Sequence, residues 1–121
     1  MALKGSEKLP KTARLRKRPE FLSLSRTGKK IHSANFVFIS KKNDMSESRL
    51  GITVSGKVGN AVVRNRIKRL VREHFRRHRD EIAARTDVLV IARPSAIRLS
   101  APLLFEEVGR VLCQGRSGRR T

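Results

Sequence analysis

Over residues 60–84, apolar side chains recur at helical spacing: Val63, Ile67, Leu70, Val71, His74, Phe75, His78 and Ile82 make a single stripe. Asn65, Lys68, Arg69, Arg72, Arg76 and Arg79 fall on the opposite side. Residues 64–79 hold eight basic side chains and one acid, Glu73. A helix divided in this way must dock its stripe on another layer while its charged ladder stays at the surface. A solvated helix held by its own ion pairs needs carboxylates three or four residues from each base, and here they are nearly absent. The spacing therefore calls for an external anion. Arginine suits phosphate, because its planar fork donates two parallel hydrogen bonds.

The layer that receives the stripe is read from the rest of the chain. Pro19 opens and Gly28 closes a short helix over about 19–27, with Phe21, Leu22 and Leu24 apolar. Residues 35–42 are rich in β-formers, and residues 49–55 alternate Leu50, Ile52 and Val54 with polar or small neighbours. The polar stretch Asn43 to Ser48 between them predicts an antiparallel hairpin. Residues 87–93 form a continuous apolar strand of the kind buried on both faces. Ser100 is placed to cap a last helix over 101–113, with Pro102 in its first turn and Gly115 after it. The expected order is αββαβα: one α+β domain over 16–113, a two-layer sandwich of helices on a small sheet. Residues 1–15 read as a mobile basic arm and 114–121 as a basic disordered tail.

Charge narrows the partner. With 29 Lys and Arg against 10 Asp and Glu, the 121-residue chain carries a formal +19, whereas small domains ordinarily carry about 2–8 charges. The excess is concentrated: +8 lies in residues 1–30 and +7 in 56–80, while 81–111 balance to zero. Two blocks favour a shaped binding face over general solubilisation. The single cysteine, Cys113, excludes an intrachain disulfide and a four-cysteine zinc site, and points to a reducing compartment. No apolar run reaches the roughly 18 residues that a membrane span needs. Without Trp or Tyr, and with five Phe, stacking platforms are few.

Other motifs carry less. Gly51 through Lys57 matches a G-x-x-x-x-G-K loop, but Val58 stands where Ser or Thr would hold Mg²⁺, and the intervening residues read as strand. His74 and His78 have metal-ligand spacing, yet they lie on the core stripe among arginines and read as structural. Cys113 reads as a small apolar side chain. No carboxylate pair and no Ser/His/Asp or Cys/His set stands out, so no side chain is assigned a catalytic role. Gly56 and Gly59 precede Asn60, an N-cap candidate, in a loop whose N–H groups could meet an anion.

The segment GNAVVRNRIKRLVREHFRRH resembles the signature of the protein subunit of bacterial ribonuclease P. The matching positions are Arg64, Asn65, Arg66, Lys68, Arg69, Arg72 and Glu73. The resemblance spans about residues 14–113, from the Phe-bearing helix through L-G-I-T-V-S to D-V-L-V-I-A-R. It implies a left-handed βαβ crossover and a protein that assists a catalytic RNA in removing the 5′ leader of precursor tRNA in the cytoplasm. The chemistry would come from RNA-held Mg²⁺, with no cofactor on the protein alone, one protein per RNA, and neither a membrane nor a small-molecule substrate as partner. Lys57, Asn60, Arg64, Asn65, Arg66, Lys68, Arg69, Arg72 and Arg76 would meet RNA. Phe21, Val37, Ile39, Lys57 and Arg93 would line a cleft for the single-stranded leader. Some relatives carry aromatics where this chain has Ser25 and Ile39, so this cleft should rely more on phosphate contacts and shape. Two alternatives stand beside this reading. A structural RNA-binding protein fits the size and charge equally, whereas a helix-turn-helix DNA binder needs a second helix where 85–93 read as strand.

Overall fold

A computed structural model of the chain describes residues 14–15, 18–43, 48–78 and 85–113. The elements are α1 (Arg18–Thr27), β1 (Lys29–His32), β2 (Phe36–Lys42), β3 (Arg49–Val54), α2 (Ala61–Arg77), β4 (Thr86–Ala92), a 3₁₀ turn (Pro94–Arg98) and α3 (Ala101–Leu112). The α+β class holds, with one short strand more than αββαβα.

The strands lie in the order β1-β2-β4-β3, with β3 and β4 parallel and the other pairs antiparallel. The hairpin expected between 35–42 and 49–55 is therefore not formed, since β4 lies between those two strands. Burial explains the insertion. Val88, Leu89, Val90 and Ala92 are all buried, so β4 needs covered faces and a neighbour on each side, which only a central strand has. The actual hairpin joins β1 to β2, where Ser33 N–H donates to the Phe36 carbonyl at 2.8 Å. The buried Glu107 of α3 holds this turn, accepting from the Ser33 hydroxyl, the Asn35 backbone at 2.7 Å and the Asn35 amide at 2.7 Å. Burial pushes its carboxyl up, but these bonds to the charged form bring it below the usual carboxylate range.

Strand alternation gives the sheet two different faces. Phe36, Phe38, Leu50, Val54, Val88 and Val90 pack with Ile67, Val71 and Phe75 of α2 and Leu104 and Val108 of α3. The reverse face carries a smaller cluster in which Leu24 of α1 and Leu15 cover Ile39 and Leu89. Both caps read from the sequence are formed: Asn60 accepts from Val63 N–H at 3.0 Å, and Ser100 accepts from Leu103 N–H at 3.4 Å. The fold also begins earlier than expected. Arg14 bridges to Leu50, and Leu15 N–H donates to the Leu50 carbonyl at 2.8 Å, so these two residues of the expected arm cover the β3 edge. The rest of that arm, the expected tail 114–121, Gly115, Arg79 and Ile82 lie outside the described residues.

Gly28 closes α1 for lack of space, since no glycine among the described residues has a positive φ. A Cβ at Gly28 would sit 2.6 Å from the Ile39 methyl and 2.7 Å from the Leu24 carbonyl oxygen. Gly28→Ala should therefore cost about 1–2 kcal/mol through forced displacement of α1. Urea denaturation checks this, and wild-type stability would show that α1 can shift freely.

Candidate nucleic-acid interface

Two surfaces emerge, one on α2 and one on the α1 side of the sheet. The docking of α2 through Ile67, Val71, His74 and Phe75 turns Arg69 and Asn65 fully outward. Arg64, Lys68 and Arg72, four residues apart, run along one half-buried flank. The Arg64 Nε is buried there with no hydrogen-bond partner. Partial burial, followed by the Arg14 charge, lowers the proton affinity of Arg72. Two guanidiniums close enough to repel favour a bound anion between them.

Not every residue read as RNA-facing is equally available. Arg66 Nη2 donates to the Leu99 carbonyl at 3.2 Å, so part of its fork ties α2 to the segment before α3. Arg76 reaches Glu73 at 2.6 Å and Arg77 reaches it at 2.8 Å. The bond from Arg76 in particular holds the Glu73 carboxyl below its usual range. Glu73, the one acid of the helix, is thereby drawn away from Arg69 and Arg72. Lys57 and Asn60 are exposed, Lys57 on the turn in which Val58 N–H meets the Ser55 carbonyl at 3.0 Å.

On the other surface α1 packs over β2 and β4, leaving rows of the sheet less covered to either side. Phe21 lies over Gly51, where an added Cβ would come within 3.0 Å of its ring. Beyond one side of α1 the register brings Lys41, Asp87 and Arg49 together. With Pro19, Glu20, Ser23 and Asn43 these bound a concavity of about 410 Å³. Its acids are already spent. Arg49 Nη1 reaches Glu20 at 2.9 Å, and Nη2 reaches Asp87 at 2.8 Å. Its bond to Asp87, opposed by burial and supported by Glu20, raises the Arg49 pKa. Beyond the other side the register aligns His32, Val37, Ile91 and Thr53, with Arg93 one row further on. We take this row as a second groove: Val37 and Ile91 give it a partly apolar floor, Arg93 stands at one end, and its rows hold no carboxylate, a combination that suits a single-stranded polyanion.

Of the residues expected to line a cleft, Phe21, Val37 and Ile39 lie on one side of the sheet, Arg93 follows β4, and Lys57 lies on the Ser55–Val58 turn. Val37 and Phe21 are half-exposed, and Arg93 stands at the end of the row. Ile39 is only 2 % exposed beneath α1, so it supports the groove from below and offers no surface to a ligand. Ile91, Thr53 and His32 share the row of Val37, and the sequence does not single them out. Ile91 alternates with Val90, a signal that the reading of 87–93 as uniformly apolar discarded. Among the described residues, no three of His, Cys, Asp and Glu gather to hold a metal ion. No described helix is long and apolar enough to cross a membrane.

The chain matches the family described as Ribonuclease P over residues 9–114. It is 44% identical over 107 residues to the ribonuclease P protein component of Desulforapulum autotrophicum, covering 88% of this chain and 92% of that one. Its fold is similar to that of the RNase P protein of Staphylococcus aureus, with a TM-score of 0.80 at 35% identity over 86% of this chain and 95% of that one. For the RNase P protein of Thermotoga maritima the TM-score is 0.78 at 38% identity, over 84% and 96% of the two chains.

Proposed function

Because the chain belongs to the ribonuclease P protein family, we propose that it is the RNA-binding subunit of that ribonucleoprotein, engaging the catalytic RNA through α2 and the 5′ leader of precursor tRNA through the acid-free groove. The observation that carries the reading is the state of Glu73. With this carboxylate engaged by Arg76 and Arg77, exposed Arg69 and half-buried Lys68 and Arg72 have no other acid on their helix to compensate them. The groove supplies a second, separate surface.

The protein's part is positioning. Glu20, Asp87, Glu73 and Glu107 all accept hydrogen bonds from within the fold, which makes them poor ligands for a hydrated Mg²⁺. We place Mg²⁺ on the RNA, where it would supply the hydrolytic chemistry, and we assign the complex one protein per RNA in the cytoplasm. The helix-turn-helix alternative is disfavoured, because among the described residues the next element after α2 is β4, paired on both sides.

Phe21 separates leader binding from assembly. Phe21→Leu keeps apolar volume over Gly51 and removes the ring face. It should weaken precursor tRNA binding by the holoenzyme about tenfold, as stacking on one base is worth about 1–3 kcal/mol. Binding of leaderless tRNA and of the catalytic RNA should be unchanged. Thermal melting first establishes that the fold is retained. An unaltered precursor-to-mature binding ratio would remove Phe21 from the leader path and overturn the leader assignment.

A further inference from the structure

We infer that the single-strand groove extends over the β1 edge into an additional nucleotide subsite formed by His32 and Arg93; the inference rests on the leader-binding reading above. His32 pairs with Val37 across the β1–β2 ladder, and its neighbour Ile31 packs into the opposite core. The exposed imidazole therefore shares the face of Val37 and Ile91. Arg93 continues from β4 beside Asn35, whose carbonyl accepts its N–H at 2.9 Å. From there Arg93 Nη2 reaches His32 Nδ1 at 3.0 Å.

That contact determines the ring's chemistry. A guanidinium has donors only, so His32 Nδ1 must accept, and the remaining proton sits on Nε2. The ring is thus held in one tautomer, with an N–H donor directed away from Arg93. An imidazole provides a π-face for a base, and its Nε2–H can meet a base or phosphate acceptor. The Arg93 Nε is buried without a hydrogen-bond partner. Lys30, two residues earlier on the same face of β1, is exposed and can follow the backbone. In a chain with few aromatics, His32 is the one ring on this row of the sheet, across the groove floor from the Phe21 side. The ligand is a single-stranded nucleotide, read by stacking and one hydrogen bond. Arg93 acts as a positioning residue.

The test is affinity of the reconstituted holoenzyme for precursor tRNAs whose leaders lengthen one nucleotide at a time. For wild type, affinity should rise in steps and then level off. In His32→Ala one step should disappear, lowering affinity about fivefold for leaders that reach it and leaving shorter leaders unaffected. His32→Phe should restore most of that step, because the ring face survives. In the free protein at pH 8, ¹⁵N spectra should show the His32 proton on Nε2, and Arg93→Lys should erase that preference. Equal curves for wild type and His32→Ala, with Phe21→Leu still defective, would remove the subsite and leave the groove intact. A flat wild-type curve would overturn leader binding and the subsite together.

Discussion

Removing the Arg69 and Arg72 guanidiniums together should weaken assembly with the catalytic RNA about 100-fold or more. Each charge-assisted hydrogen bond is worth about 1.5–3 kcal/mol, and about 1.4 kcal/mol is tenfold in affinity. Arg69 is exposed and Arg72 lies on the flank beside Arg14, so neither supports the core that Ile67, Val71 and Phe75 form. Arg66 is a poorer choice, because its fork also binds the Leu99 carbonyl and its loss confounds assembly with stability. If each guanidinium neutralises one phosphate, the slope of log affinity against log salt should fall by about two. Arg110→Ala removes a charge from α3, where Arg110 is exposed and lies 3.9 Å from Glu106, and should leave affinity and slope near wild type. That control separates location from net charge. Filter binding across a salt series reads all of it. Wild-type affinity and slope in the double variant would place both residues outside the interface.

What could be read from the sequence was local, and what escaped was pairing. The N-caps at Asn60 and Ser100, the Gly28 stop and the stripe of α2 depend on residues within a turn or two of one another, and all are present. Lys29–His32 has a single apolar member, Ile31, and gives almost no β signal. It is an edge strand whose lysines suit an unpaired border. Polar turn residues between 42 and 49 suggested a hairpin, since neighbours in sequence usually pair. Yet the continuous apolar run of β4 already required the middle of a sheet, and that requirement decides the order. Once β4 stands between β2 and β3, the cross-strand row containing Ile91, Val37 and His32 follows from register alone. The position of α1 was not available from patterning. It depends on Phe21 meeting Gly51 and Gly28 meeting Ile39, contacts that buried Ile39 and opened the neighbouring row.

Acidification should destabilise the fold through His74, before the carboxylates contribute. His74 is 3 % exposed, its ring stacked on His78 at 4.2 Å and set edge-on to Phe105 at 5.6 Å, with the Nδ1 buried and without a partner. Gly109 makes room for it, since a Cβ there would stand 2.9 Å from His74 Nε2. Burial above all, and then the charges of His78 and Arg77, depress its pKa from 6.5 to about 4. Between those values the unfolded chain binds a proton that the folded chain refuses. Stability is therefore fully present above pH 6.5 and falls as pH drops toward 4. At 1.36 kcal/mol per pKa unit, the loss from pH 7 to pH 5 should be about 2 kcal/mol, approaching about 3 kcal/mol at pH 4. Glu73 and Glu107 titrate below the ordinary carboxylate range, so their contributions are lost at still lower pH. Urea unfolding of wild type at pH 7 and pH 5 measures the step, and His74→Leu should remove most of it. If His74→Leu loses as much stability as wild type over that interval, the buried imidazole is not the group that titrates.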